Sequence, residues 1–150
     1  MMHELPETDA KLAEFAAAHP AARLFVRGAA DGRAILAAEP KRLHLVLEGE
    51  VSREDFLGVL IEARACDLPS SDDFHTLVDI SRLTSALDWQ AVAQVGEIMP
   101  KGDTATNKNA YVVRDSITAA LTKVYSMLFA KTEHRAFTSA DEAMRWLGWS

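Results

Sequence analysis

The chain has 150 residues, 49% of them apolar and 25% charged, proportions that fit a folded globular protein and exclude a disordered or fibrous one. That length suits one domain whose core needs no disulfide or metal staple. Its 16 Lys and Arg against 22 Asp and Glu leave a formal charge of -6, and the densest basic spots (Lys41-Arg42, Lys101, Lys108, Lys131) lie beside acids or in separate elements. Phosphate backbones are repelled by such a chain, so no nucleic-acid partner is expected.

Pro6-Glu7-Thr8-Asp9 precedes "AKLAEFAAAHP", where Leu12, Phe15 and Ala16 fall at helical spacing and His19-Pro20 closes a short, alanine-rich helix. "ARLFVRG" and "RAILAAE" flank the turn signal Asp31-Gly32, which predicts a hairpin although the apolar alternation is imperfect. "KRLHLVLEGEV" sets Leu43, Leu45 and Leu47 against His44, Val46 and Glu48, the period of a strand with one face in the core and His44 on the other. Gly49 ends it. Ser52, with Asp55 three residues on, then caps a helix whose stripe is Phe56, Val59, Leu60 and Ala63.

"DLPSSDD" is a loop, "FHTLVDI" a short strand, and "DWQAVAQVGEIM" a helix ending before Pro100. "PKGDTATNKN" is the most loop-like stretch of the chain. "AYVVRD" predicts another strand, Asp115 or Ser116 caps the helix "SITAALTKVYSMLFAKT", "HRAFTS" is a last strand, and Ser139 with Glu142 forms a capping box for "ADEAMRWLGW". Strand and helix alternate from residue 41 onward. This predicts an α/β fold with a mixed, mostly parallel sheet flanked by helices: one domain over 1–150, with a core over 41–150 and an N-terminal helix and hairpin over 1–40.

Catalytic signals are weak. Asp79, Ser81 and His75 are the nearest to a nucleophilic set, but on an extended strand they share one face at roughly 6.6 Å per two residues, which holds His75 too far from Ser81 for proton transfer. Neither a nucleophile elbow nor a phosphate-loop or dinucleotide fingerprint occurs, so no catalytic residue, cofactor or enzymatic activity is expected. The five histidines stand singly and Cys66 has no second thiol, so no metal site and no intrachain disulfide is expected either. No segment approaches the ~20 apolar residues of a membrane span, and "MMHELPETDA" has no basic region followed by an apolar block. A cytoplasmic location is the expectation.

Two helices carry more apolar surface than one sheet covers. Along Ser116–Lys131, Ile117, Ala120, Leu121, Val124 and Leu128 complete a core stripe; Tyr125, Met127 and Phe129 widen the apolar arc to about 200°, against the ~100° that packing on one sheet requires. Between Trp89 and Met99, Val92, Val95, Ile98 and Met99 spread around the circumference. Helix packing within the domain, a homodimer interface, a pocket for a nonpolar ligand and a membrane surface are the coverings this leaves open.

From about Arg42 to Trp149 the chain resembles the SpoIIAA-like branch of the STAS superfamily, also described as STAS/Sec14-like, through "LHLVLEGEVSREDF", "HTLVDISRLT" and above all "HRAFTSADEAMRWL". The resemblance implies a mixed sheet flanked by helices without catalytic machinery. Anti-sigma-factor antagonists of the superfamily carry Asp-x-Ser, a short linker, then Asp-Ser-Ser-Gly at a helix N-terminus, where a serine is phosphorylated. Asp79 and Ser81 match the first part, but Leu87, Asp88, Trp89 and Gln90 stand at the second. Asp88 can supply a permanent negative charge there, and Thr84 and Ser85 are the hydroxyls a shifted alignment makes regulatory.

The resemblance also implies binding of a nonpolar small molecule or lipid, with transient membrane contact. The residues expected to hold that ligand are Trp89, Val92, Met99, Leu121, Tyr125 and Phe129. The alternative is a regulatory protein-interaction module built on the Asp88-Trp89 helix end.

Overall fold

The computed structural model describes residues 7–29, 31–71, 73–85, 89–99, 107–114 and 133–149. Its elements in chain order are α1 (Glu7–Ala18), β1 (Arg23–Ala29), β2 (Gly32–Ala38), β3 (Arg42–Gly49), α2 (Arg53–Ala65), β4 (His75–Leu83), α3 (Trp89–Ile98), β5 (Lys108–Val112), β6 (Glu133–Phe137) and α4 (Ala140–Leu147). The expected helix over 116–131 lies outside the described residues.

The strands form one six-stranded sheet in sequence order. β1, β2 and β3 are antiparallel neighbours, whereas β3, β4, β5 and β6 run parallel, so the mixed, mostly parallel sheet expected from the alternation is what forms. Its front face carries Leu43, Leu45 and Leu47 against Phe56, Val59, Leu60 and Ala63 of α2 and Ala91 of α3, in one apolar cluster with Met99 just beyond α3. Its back face carries Leu77, Ala110 and Val112 against Ala143 and Leu147 of α4.

Local chemistry sets the element ends. Ser52 Oγ accepts the Asp55 amide at 3.1 Å, and Ser139 Oγ accepts the Glu142 amide at 3.4 Å, so both predicted caps hold. Gly148 closes α4 in the left-handed region at φ 79°, where a side chain would be strained. Gly49 (φ 73°) is needed for a second reason: a Cβ there would stand 2.2 Å from the Asp31 carbonyl oxygen, so the hairpin loop seats against the end of β3 only because the side chain is absent. The Glu50 amide donates to that same carbonyl at 3.2 Å.

One irregularity of the sequence is explained and two expectations need correction. The alternation of β2 is imperfect because every one of its residues is buried, on both faces of the sheet. β5 begins at Lys108, inside the stretch expected to be loop, because Asn107 and Asn109 serve as buried hydrogen-bonding side chains rather than turn formers. The alternation of β4 does not run through Ser81: Val46 pairs with Asp79 but Glu48 with Arg82, a bulge that adds one residue to β4 and exchanges its faces. Ile80 and Leu83, three apart, therefore both reach the front cluster.

Candidate functional site

The bulge answers what Asp79 and Ser81 do. The Ser81 amide donates to Asp79 Oδ1 at 3.0 Å and the Ser81 hydroxyl to the same oxygen at 2.6 Å, a side-chain turn that shapes the end of β4. His75, at the other end of the strand, accepts the Lys108 amide on Nδ1 at 3.0 Å. Beyond the bulge, the Thr84 and Ser85 amides donate to the Gly49 carbonyl at 2.9 and 3.4 Å, and Ser85 Oγ accepts the Val51 amide at 3.2 Å. Ser85 is thus tied into the turn after β3, while the Thr84 side chain is exposed. Asp88 lies outside the described residues.

Of the residues expected to hold a nonpolar ligand, Met99 is buried in the front cluster and its amide donates to Val95 O at 2.7 Å. Trp89 opens α3. The side chains of Trp89 and Val92, and all of Leu121, Tyr125 and Phe129, lie outside the described residues. Ala91 is buried in the front cluster, Val95 and Ile98 pack against it, and Gln90, Gln94 and Glu97 are exposed. Among the described side chains of α3, the apolar ones therefore form a stripe facing the sheet; Val92, part of the wide spread expected from the sequence, is not among them.

What the strand register brings together is a polar row on the front face. Thr76 pairs with Asn109 and Asn109 with His134, across three parallel strands; Val78, Tyr111 and Ala136 form the next row. Asn109 Nδ2 donates to the Tyr111 hydroxyl at 3.4 Å, and that hydroxyl lies 2.8 Å from His134 Nδ1. A phenol is the stronger acid and imidazole the stronger base, so the hydroxyl donates and His134 takes the tautomer with its proton on Nε2. The Tyr111 and His134 rings lie nearly parallel, with centroids 5.8 Å apart.

This chain of hydrogen bonds sits in an otherwise apolar layer. Tyr111 is 5% exposed and Asn109 8%, and the apolar Val78 and Ala136 adjoin them. One step toward the start of the strands, Asn107 is 1% exposed and its Oδ1 accepts the Phe74 amide at 3.0 Å. Uncharged donors and acceptors fixed by neighbouring strands can orient a polar group of a small molecule while the surrounding apolar side chains hold the rest of it. Among the described residues no cluster of three or more His, Cys, Asp or Glu has the arrangement to hold a metal ion.

The sequence did not single out Tyr111, Asn109 or His134. Each looks ordinary within its own strand, and only the parallel register aligns them. The visible signal was the pair of asparagines just ahead of an apolar run, which read more simply as the end of a loop.

No family model and no curated protein matches the sequence. Among solved structures, the chain is similar to an uncharacterized protein of the DUF3478 family from Shewanella loihica PV-4, described as having a SpoIIAA-like fold. The two share 16% identity with a TM-score of 0.56, over 83% of this chain and 92% of that one. At that identity the likeness is one of fold. The six-stranded sheet with helices on both faces is a SpoIIAA-like fold, as the resemblance implied.

Proposed function

We propose that this SpoIIAA-like chain is a non-enzymatic binding domain for a small, largely nonpolar molecule, such as a lipid, that carries one polar group. The observation that carries the reading is the row Thr76, Asn109 and His134 with Tyr111 behind it, on a sheet face whose β3 and β4 neighbours are Leu43, Leu45, Val78 and Ile80. Burying polar side chains costs free energy that aliphatic residues would avoid, even when the polar groups bond one another. Their use on a packed face is well suited to recognising a polar ligand group, with the apolar Val78 and Ala136 beside it.

Native mass spectrometry of the chain purified from cells, followed by organic extraction, tests this. A copurified small molecule is expected, and Tyr111→Phe and His134→Ala should each lower its occupancy whereas Ser52→Ala should not. A bare polypeptide mass under gentle ionisation would overturn the reading.

A second reading, a regulatory protein-interaction module, is favoured by the exposed Thr84 and by the bridge between helix starts, where Arg53 Nη2 donates to Gln90 Oε1 at 2.8 Å. It predicts that Trp89→Ala loses a partner in a pull-down; an unchanged set of partners removes it.

A further inference from the structure

The back face of β3 is met by α1 through a contact of unusual composition. His44, expected on the non-core side of its strand, is 7% exposed, and its cross-strand neighbour Ala37 is 2% exposed. The Phe15 ring stands edge-on to His44 with centroids 4.8 Å apart, and the His19 ring does so at the same distance. His19 Nε2 and His44 Nδ1 lie 2.8 Å apart, a hydrogen bond between two imidazoles. The Trp149 ring also approaches His44, tilted, with centroids 6.4 Å apart.

The helix itself is lightly held. From Ala10 to Ala18 none of its side chains is buried: Leu12, Phe15 and Ala16 are half-buried and the rest exposed. His19 and Pro20 follow directly, and a tight turn from the His19 carbonyl to the Ala22 amide at 3.1 Å leads into β1. Among the described residues, the one hydrogen bond between side chains that ties α1 and its C-terminal turn to the sheet is the imidazole pair.

Such a pair has a definite proton capacity. With both rings neutral, one N–H donates to the other ring's lone pair. With one added proton, an imidazolium donates to a neutral imidazole, so the hydrogen bond is kept while a charge is held in a partly buried site at some cost to docking. With two, an N–H faces an N–H at hydrogen-bonding distance and the contact becomes repulsive.

We propose that the His19–His44 pair is a proton-operated latch: with no added proton or one it holds α1 on the back face of β3, and with two it releases α1 and bares His44. The charged groups facing the pair agree with where the strain falls. Burial lowers His19; Glu39, between β2 and β3, favours a proton on it and offsets part of that effect, while Arg42 of β3 adds to the lowering. His44 is lowered to about 3, first by burial and then by the neighbouring His19. Among the described residues, the rings that α1 and the C-terminal segment bring to His44 are the uncharged Phe15 and Trp149.

The sign follows from linkage. Groups whose docked pKa lies below 6.5 bind fewer protons docked than free, so docking is at full strength above pH 6.5 and weakens as pH falls toward 3.

Amide NMR spectra of the full chain, recorded from pH 7 to pH 3, test the latch. The Lys11–Ala18 amides are expected to move to coil positions in the acid half of the titration while the Leu43–Leu47 amides keep their dispersed positions. His44→Phe retains a ring but carries no proton, and should keep α1 docked across the range; His19→Phe serves the same purpose should the buried replacement not fold. The proposal is overturned by α1 amides that hold until the β3 amides collapse with them, by an α1 already coil-like at pH 7, or by a Phe variant that releases α1 at the wild-type pH.

Discussion

Gly58→Ala tests how β1 is fastened to α2. Arg27 leaves β1 on the front face and crosses α2 at Gly58; its Nη1 donates to Glu62 Oε1 at 2.9 Å and its Nε lies 3.6 Å from Asp55 Oδ1. A Cβ at position 58 would stand 2.3 Å from that Nε and 2.4 Å from Cδ, so the methyl group and the present course of Arg27 are incompatible. The atoms in the way belong to the far end of a flexible side chain, so Arg27 swings out and the helix stays. With side chains 39% and 44% exposed, the Arg27–Glu62 pair is worth about 0–1 kcal/mol. Replacing Gly by Ala inside a helix gains about 1 kcal/mol. The two nearly cancel, and Gly58→Ala alone should leave stability within about 0.5 kcal/mol of the parent. In an Arg27→Ala background nothing obstructs the methyl group, and the same substitution should stabilise by about 1 kcal/mol, a coupling that urea unfolding followed by circular dichroism resolves. A loss above about 2 kcal/mol in both backgrounds would refute the reasoning, because Gly58 would then be avoiding something other than Arg27.

Asn107→Ala should cost about 2 kcal/mol in urea unfolding, because it leaves the buried Phe74 amide without the Oδ1 acceptor it has at 3.0 Å. Gly49→Ala should destabilise by at least about 2 kcal/mol, since the atom its Cβ meets is the backbone oxygen of Asp31 and the hairpin must shift to clear it. Ser52→Ala removes the acceptor for the Asp55 amide and should cost about 1 kcal/mol without touching the front-face polar row, which makes it the folding control for the ligand experiment.

Elements were legible in the sequence wherever one local rule acted alone. Leu43, Leu45 and Leu47 declared a strand and its core face by period, and Ser52 and Ser139 declared helix starts by their hydroxyls. What was not legible depended on two elements at once. The bulge in β4 arises from its pairing with β3, so Asp79 and Ser81 looked like alternate residues of one face when they are the two arms of a turn. The row of Thr76, Asn109 and His134 exists only because three strands share a parallel register, and its members lie up to 58 residues apart in the chain. His44 was placed on the correct face, but its burial comes from Phe15 and His19, which precede it by a hairpin strand pair, and from Trp149 at the far end of the chain.

That last case also changes how residues 1–40 relate to the rest. A sheet built only from β3 to β6 would have α4 over the back of β4 and β5, yet β3 would end as an edge strand with its ladder groups open. The hairpin takes up that edge: β2 pairs with β3 from Gly32 against Gly49 to Ala38 against Leu43, and becomes buried on both faces in doing so. β1 becomes the outer strand instead, and Arg27 leaves it to cross α2. α1 then closes the back of β3 at His44 with a helix of mostly alanine and charged residues, whose short side chains allow close approach but bury little apolar area. The N-terminal segment is thus two devices of different strength. The hairpin is fixed by seven residue pairs to β3, whereas α1 is held at a few rings, which makes it the part of the back face best able to move without the sheet coming apart.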